Sequence, residues 1–79
     1  MRLIQEIPHE EYKISIFSWN NKYIIKFENN QLEQTYKISE WDLTSEDDIK
    51  NLVTHLIASD VKEVFGLMSK KFSEAIESI

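Results

Sequence analysis

The chain has no cysteine, one glycine and one proline in 79 residues. Without thiols there is no disulfide to staple a small fold and no thiolate chemistry, a composition that suits a reducing compartment. The lone Gly66 excludes a glycine-rich phosphate loop. Long apolar runs are missing as well. No stretch reaches the twenty or so residues that span a bilayer, and the N-terminal pair Leu3-Ile4 falls far short of a signal-peptide core. A cytoplasmic location is therefore expected.

What is present describes an ordered domain. Hydrophobic residues make up 42% and charged residues 29%, a balance that can form a core and argues against a linker or disordered tail. The length allows one domain, 1–79, with a modest core whose stability benefits from self-association. The net charge of −5 weighs against nonspecific binding to nucleic acid or anionic lipid. It is unevenly spread. Residues 12–38 carry four lysines against two glutamates, whereas residues 39–79 carry nine acids against four lysines.

Two turn signals organise the first half. Asn20-Asn21 and Asn29-Asn30 each separate runs rich in Ile, Phe, Tyr and Thr. Asparagine tolerates the positive φ that a tight two-residue hairpin requires. The expected strands run from about Glu11 to Trp19, Lys22 to Glu28 and Gln31 to Ser39, with a further short strand over residues 2–7 ending at Pro8. A turn at Asn20-Asn21 pairs Ile16 with Ile25 and Ile14 with Phe27. One at Asn29-Asn30 pairs Phe27 with Leu32, Ile25 with Gln34 and Tyr23 with Tyr36. Both place Ile14, Ile16, Tyr23, Ile25, Phe27, Leu32, Tyr36 and Ile38 on one face. A slip of one residue in either hairpin scatters that set. The opposite face receives Lys13, Ser15, Phe17, Trp19, Lys22, Ile24, Lys26, Glu33, Thr35 and Lys37. There Lys13 pairs with Glu28 and Lys26 with Glu33, each worth a few tenths of a kcal/mol.

After Trp41-Asp42-Leu43 the period changes. Thr44 and Ser45 supply hydroxyl caps, and Glu46, Asp47 and Asp48 place acids in a first helical turn. Ile49, Leu52, Val53, Leu56 and Ile57 follow with helical spacing, and Val61, Val64, Phe65, Met68, Phe72, Ala75, Ile76 and Ile79 continue it. A single helix over this whole stretch is about 50 Å long and overhangs a sheet whose strands are about 27 Å. A break near Asp60 is expected instead. Asp60 falls on the apolar stripe there, and Ser59-Asp60 with Glu63 reads as a second cap.

Reactive constellations are hard to build from these residues. His9 and His55 lack any ligand spacing, and no second histidine follows His9 at the four-residue step of a zinc-binding helix. Glu46-Asp47-Asp48 lacks the alternating oxygens and the glycine of a calcium loop. Ser15, Ser18 and Ser39 have no accompanying His or Asp pattern. Gly66 lies inside a helix, where close packing or a kink explains a residue that costs about 1 kcal/mol relative to Ala. No catalytic, metal or cofactor site is expected.

The run Lys13-Ile14-Ser15-Ile16-Phe17-Ser18-Trp19-Asn20-Asn21-Lys22-Tyr23-Ile24-Ile25-Lys26-Phe27, with the later Leu32-Glu33-Gln34-Thr35-Tyr36-Lys37-Ile38-Ser39-Glu40, resembles a family of short uncharacterised bacterial proteins. The resemblance covers roughly the first half of the chain. It implies a small meander-plus-helix domain and brings no activity, cofactor or functional residue with it.

The reading is an α+β domain: a three-stranded antiparallel meander, extended by a short N-terminal strand, then two C-terminal helices on one sheet face. The expected function is a non-enzymatic protein-interaction or accessory module that forms a homodimer. Its candidate contact surface is Lys13, Phe17, Trp19, Lys22, Ile24, Lys26 and Lys37. The alternative from another class is single-stranded nucleic-acid binding on that same face, where aromatic rings stack bases and lysines track phosphates.

Overall fold

A computed structural model describes all 79 residues except for the side chains of Ala58 and Ser59. Four strands come first: β1 (Arg2–Ile7), β2 (Lys13–Trp19), β3 (Lys22–Glu28) and β4 (Glu33–Ser39). They form one antiparallel sheet in the order β1-β2-β3-β4. A 3₁₀ turn over Glu40–Asp42 leads into α1 (Glu46–Ser59) and α2 (Val61–Glu77). The class is α+β, and the N-terminal segment is a full fourth strand.

The first hairpin follows the sequence expectation. Asn20 and Asn21 have φ of 54° and 62°, the paired left-handed conformation that a tight hairpin turn needs. Trp19 pairs with Lys22, Ile16 with Ile25 and Ile14 with Phe27.

The second hairpin turns one residue later than expected. The Asn29 N–H donates to the Leu32 carbonyl at 3.0 Å, which centres the reversal on Asn30-Gln31. The Asn29 side chain takes the remaining donors, its Oδ1 accepting from the Gln31 and Leu32 N–H groups at 3.1 and 2.8 Å. This is the side-chain mimicry of a backbone turn for which Asn is selected, and it needs no positive φ. Moving a turn by one residue moves the register by two. Phe27 therefore pairs with Gln34, Ile25 with Tyr36 and Lys26 with Thr35, correcting the expected partners. A shift of two keeps every side chain on its expected face. The strands flanking the loops are also shorter than expected, since Glu11, Tyr12, Gln31 and Leu32 all lie outside them.

The core forms between one sheet face and the two helices. Ile14, Ile16, Ile25 and Phe27 from the sheet meet Ile49 and Val53 from α1 and Val61 and Phe65 from α2, all buried. Each such side chain stabilises the fold by about 1.5–3 kcal/mol before conformational entropy is counted. Gln34 is buried on the same face, and it is satisfied: its Nε2 donates to the Val61 carbonyl at 3.0 Å, and its Oε1 accepts from the Tyr36 hydroxyl. That bond ties β4 to the first turn of α2.

The helices divide at Asp60, whose φ of −120° and ψ of −40° leave the helical range. Hydrogen bonds continue through the corner, from the Asp60 N–H to Leu56 and from the Val64 N–H to Asp60. The break is thus a kink, as expected. The caps differ from expectation. Ser45 and Asp60 make no side-chain cap bond, and the hydroxyl of Ser59 lies outside the described side chains. At the start of α1, Asp48 reaches back instead, accepting from the Thr44 N–H at 2.9 Å and the Thr44 hydroxyl at 2.7 Å. These bonds hold the Asp48 carboxyl below its ordinary value of 3.8. Gly66 has open space where a Cβ would stand, so close packing does not account for it.

Candidate functional site

The seven candidate residues all belong to the sheet face turned away from the helices, and strand register arranges them in rows. Leu3, Phe17, Ile24 and Lys37 lie side by side across all four strands. Trp19 and Lys22 form the next row toward the Asn20-Asn21 turn, ending at Ser39. On the other side, Glu6, Ser15, Lys26 and Thr35 share a row, followed by Lys13, Glu28 and Glu33.

These rows divide the face into two halves of different character. In the lower half every lysine has an acid beside it. Lys26 Nζ is 3.5 Å from Glu33, its diagonal neighbour, and also stands 5.9 Å from the centroid of the Phe17 ring. Lys13 is directly opposite Glu28. In the upper half the only charged members of the two rows are Lys22 and Lys37, and among the described residues neither is in an ion pair. They stand on β3 and β4, beside an apolar group formed by Leu3 on β1, Phe17 and Trp19 on β2 and Ile24 on β3.

Exposure sorts that group further. Trp19 is 53% exposed and Leu3 is nearly as open, while Phe17 is half-buried. Ile24 is only 5% exposed although no helix lies over it. It forms the floor of the patch and its neighbours form the walls. The face is thus a shallow platform with one prominent indole at its end and two lysines along its β3–β4 side.

Two aromatic and apolar residues outside the sequence-derived set belong to this end of the molecule. Leu3 reaches the open face because β1 shifts register between Leu3 and Gln5. Trp41 is strongly exposed on the 3₁₀ turn directly after β4, where its N–H donates to the Ser39 hydroxyl. It borders an open depression of about 420 Å³ with Tyr23, Leu43 and Thr44. Strand pairing alone does not place either residue. The bulge at Leu3 carries no glycine or proline signature, and Trp41 lies beyond the last strand.

Elsewhere, His9 has a structural role. His9 accepts from the Glu11 N–H at 3.1 Å and stacks on Tyr12 at 5.0 Å, holding the β1–β2 loop. Tyr12 in turn contacts Phe65 at 5.3 Å between ring centroids. Burial, with a smaller contribution from Glu11, raises the Tyr12 phenol above its ordinary value. Among the described residues no three His, Asp or Glu side chains are grouped to hold a metal ion, and no helix is long and apolar enough to cross a membrane.

No family model, curated protein or solved structure matches this chain. Its function has to be read from its own surface.

Proposed function

We propose that the chain is a non-enzymatic interaction module that self-associates and docks a partner protein on the upper half of its open sheet face. The observation that supports this is the placement of exposed Trp19 and half-buried Phe17 on β2 with Lys22 and Lys37, neither in an ion pair among the described residues, beside them on β3 and β4. An exposed aromatic anchor over an apolar floor, rimmed by charge of one sign, is the anatomy of a protein-binding hot spot. The partner that fits is an acidic polypeptide segment carrying aromatic or aliphatic side chains. The lysines steer and orient it, and Trp19 and Phe17 supply the burial. With Lys26 held by Glu33, few cations are left on this face to track a phosphate backbone, which favours a protein partner.

The test is a titration of isotope-labelled protein, followed by NMR, with an acidic peptide alternating Glu with Leu and Phe, and in parallel with oligothymidylate at low and high salt. The expected result is peptide-induced shifts at Phe17, Trp19 and Lys22 that Trp19→Ala abolishes. Absence of those shifts overturns the proposal. Salt-dependent oligonucleotide binding that is lost in Trp19→Ala assigns the face to single-stranded nucleic acid instead.

A further inference from the structure

The sheet ends in two edges, and they are built differently. On β1 the register shifts between Leu3 and Gln5, an irregularity that interrupts the row of free backbone groups and blunts an edge against pairing. On β4 the register with β3 runs unbroken from Glu33 to Ser39, and the strand contains no proline or glycine. The direction of its hydrogen bonds follows from the two ends of the ladder. The Asn29 N–H bonds to Leu32 and the Glu40 N–H bonds to Asn21, so in the alternation of an antiparallel pair Gln34, Tyr36 and Ile38 bond to β3. The N–H and C=O groups of Glu33, Thr35 and Lys37 point the other way. No loop or helix backbone bonds to them among the described residues, and all three residues are exposed.

The charges on this edge say what completes it. Glu33, Thr35 and Lys37 alternate with Gln34 and Tyr36, so their side chains stand together on the open face. A second β4 laid antiparallel about a two-fold axis at Thr35 sets Glu33 against Lys37 of the partner subunit and Thr35 against Thr35 of the partner subunit. Each of these pairs is of the type that exchanges both backbone bonds. Opposite charges and paired threonines are both favourable directly across an antiparallel ladder. An axis at Gln34 or Tyr36 leaves both charges without an opposite, and an axis at Glu33 or Lys37 sets like charges face to face. A strand of one charge sign meets a like charge at Glu33 or at Lys37, so a second copy fits this edge better than an acidic or a basic peptide. Glu33 touches Lys26 at 3.5 Å, but its side chain stays half exposed and open to a second cation.

We infer that the chain dimerises edge to edge through β4, antiparallel and two-fold about Thr35, joining two four-stranded sheets into one. This assignment rests on the self-association proposed above and names the surface that carries it. The contact is isologous. Its axis is normal to the sheet, so both open faces lie on the same side. Trp19 lies on β2, two strands from the new seam, and stays accessible in both copies. Lys37 is taken up by Glu33 of the partner subunit, and Lys22 remains the cation beside Trp19 for an acidic segment.

Sedimentation or light scattering of the full chain across a concentration series, with amide hydrogen exchange followed by NMR, tests it. The expected mass rises toward twice that of the monomer, and the Thr35 and Lys37 amides become protected as it does. Thr35→Pro removes an outward N–H and no bond to β3, so it holds the protein at monomer mass while circular dichroism remains that of wild type. Glu33→Lys and Lys37→Glu each weaken association by about tenfold, because each change acts twice across the axis. The double variant E33K/K37E restores it, as does an equimolar mixture of the two single variants. Wild type that stays monomeric at all concentrations overturns self-association itself. A dimer that survives Thr35→Pro and Lys37→Glu, with the Thr35 amide still exchanging freely, overturns only the β4 assignment. Dissociation of that dimer in Phe17→Lys moves the contact to the open face.

Discussion

Ile24 and Ile25 are neighbours on one strand, and both are nearly sealed from solvent, at 5% and 0% exposure. They are sealed in different ways. Ile25 lies under two helices, in a core where Phe27, Val53 and Val61 are also closed off. Ile24 has no helix above it and depends on flanking side chains such as Phe17 and Lys37, its neighbours in register. One face of the sheet is a fixed interior. The other is a cover of long side chains around a buried floor. The lesson is that burial alone does not distinguish a core from a surface that a partner can reshape.

Truncation separates the two kinds of burial, and it gives the largest expected effects. Phe27→Ala opens a cavity under the helices and is expected to cost about 3–5 kcal/mol, read by chemical denaturation. Ile24→Ala, where the cover can collapse into the gap, is expected to cost about 2 kcal/mol, the low end for a buried isoleucine. Equal losses break the distinction. A smaller effect of opposite sign is expected away from both faces. Gly66→Ala meets open space on α2 and is expected to stabilise the fold by about 0.5–1 kcal/mol, raising the denaturation midpoint. A loss of stability there means the glycine has a contact that the isolated domain does not contain.

The smallest expected effect is a pH dependence. Asp48 is held below its ordinary value of 3.8 by bonds from Thr44, so the folded state prefers its carboxylate. Its stabilising contribution is complete above the unfolded value and disappears as pH falls through the lower folded value. Asp48→Asn is therefore less stable than wild type near neutral pH, and the gap closes on acidification. A gap that persists in acid shows that the hydrogen bonds, rather than the charge, set the start of α1.

The two asparagine pairs show how far the sequence carries this fold. At Asn20-Asn21 the backbone itself takes the left-handed conformation, and the expected pairing holds along the hairpin. At Asn29 the side chain does the work, and the turn slides to Asn30-Gln31. Both outcomes use the same residue type, so the pair Asn-Asn cannot distinguish them. The faces survive because side chains repeat every two residues. The individual partners do not, which is why Lys26 meets Glu33 diagonally and not directly opposite. In the helical half the kink at Asp60 was legible, since a charged residue interrupts the stripe there. The uncovered half of α2 was not. Phe72 and Ile76 follow the same spacing as Val61, Phe65 and Met68, and periodicity says which face is apolar without saying whether anything lies against it. The seven residues of the candidate surface share a face as expected, but the diagonal contact that ties Lys26 to Glu33 needed the actual register.

The bulge in β1 has an effect out of proportion to its size. Counting back from Ile7, which faces the helices opposite Ile14, strict alternation would turn Leu3 inward and Ile4 outward. One irregular step reverses that phase: Leu3 joins the platform beside Phe17, while Ile4 packs on the core. A single strand thereby contributes to both surfaces. The reach of the platform toward the sheet edge is set by a local irregularity in chain geometry, several residues away from Trp19, its most prominent side chain.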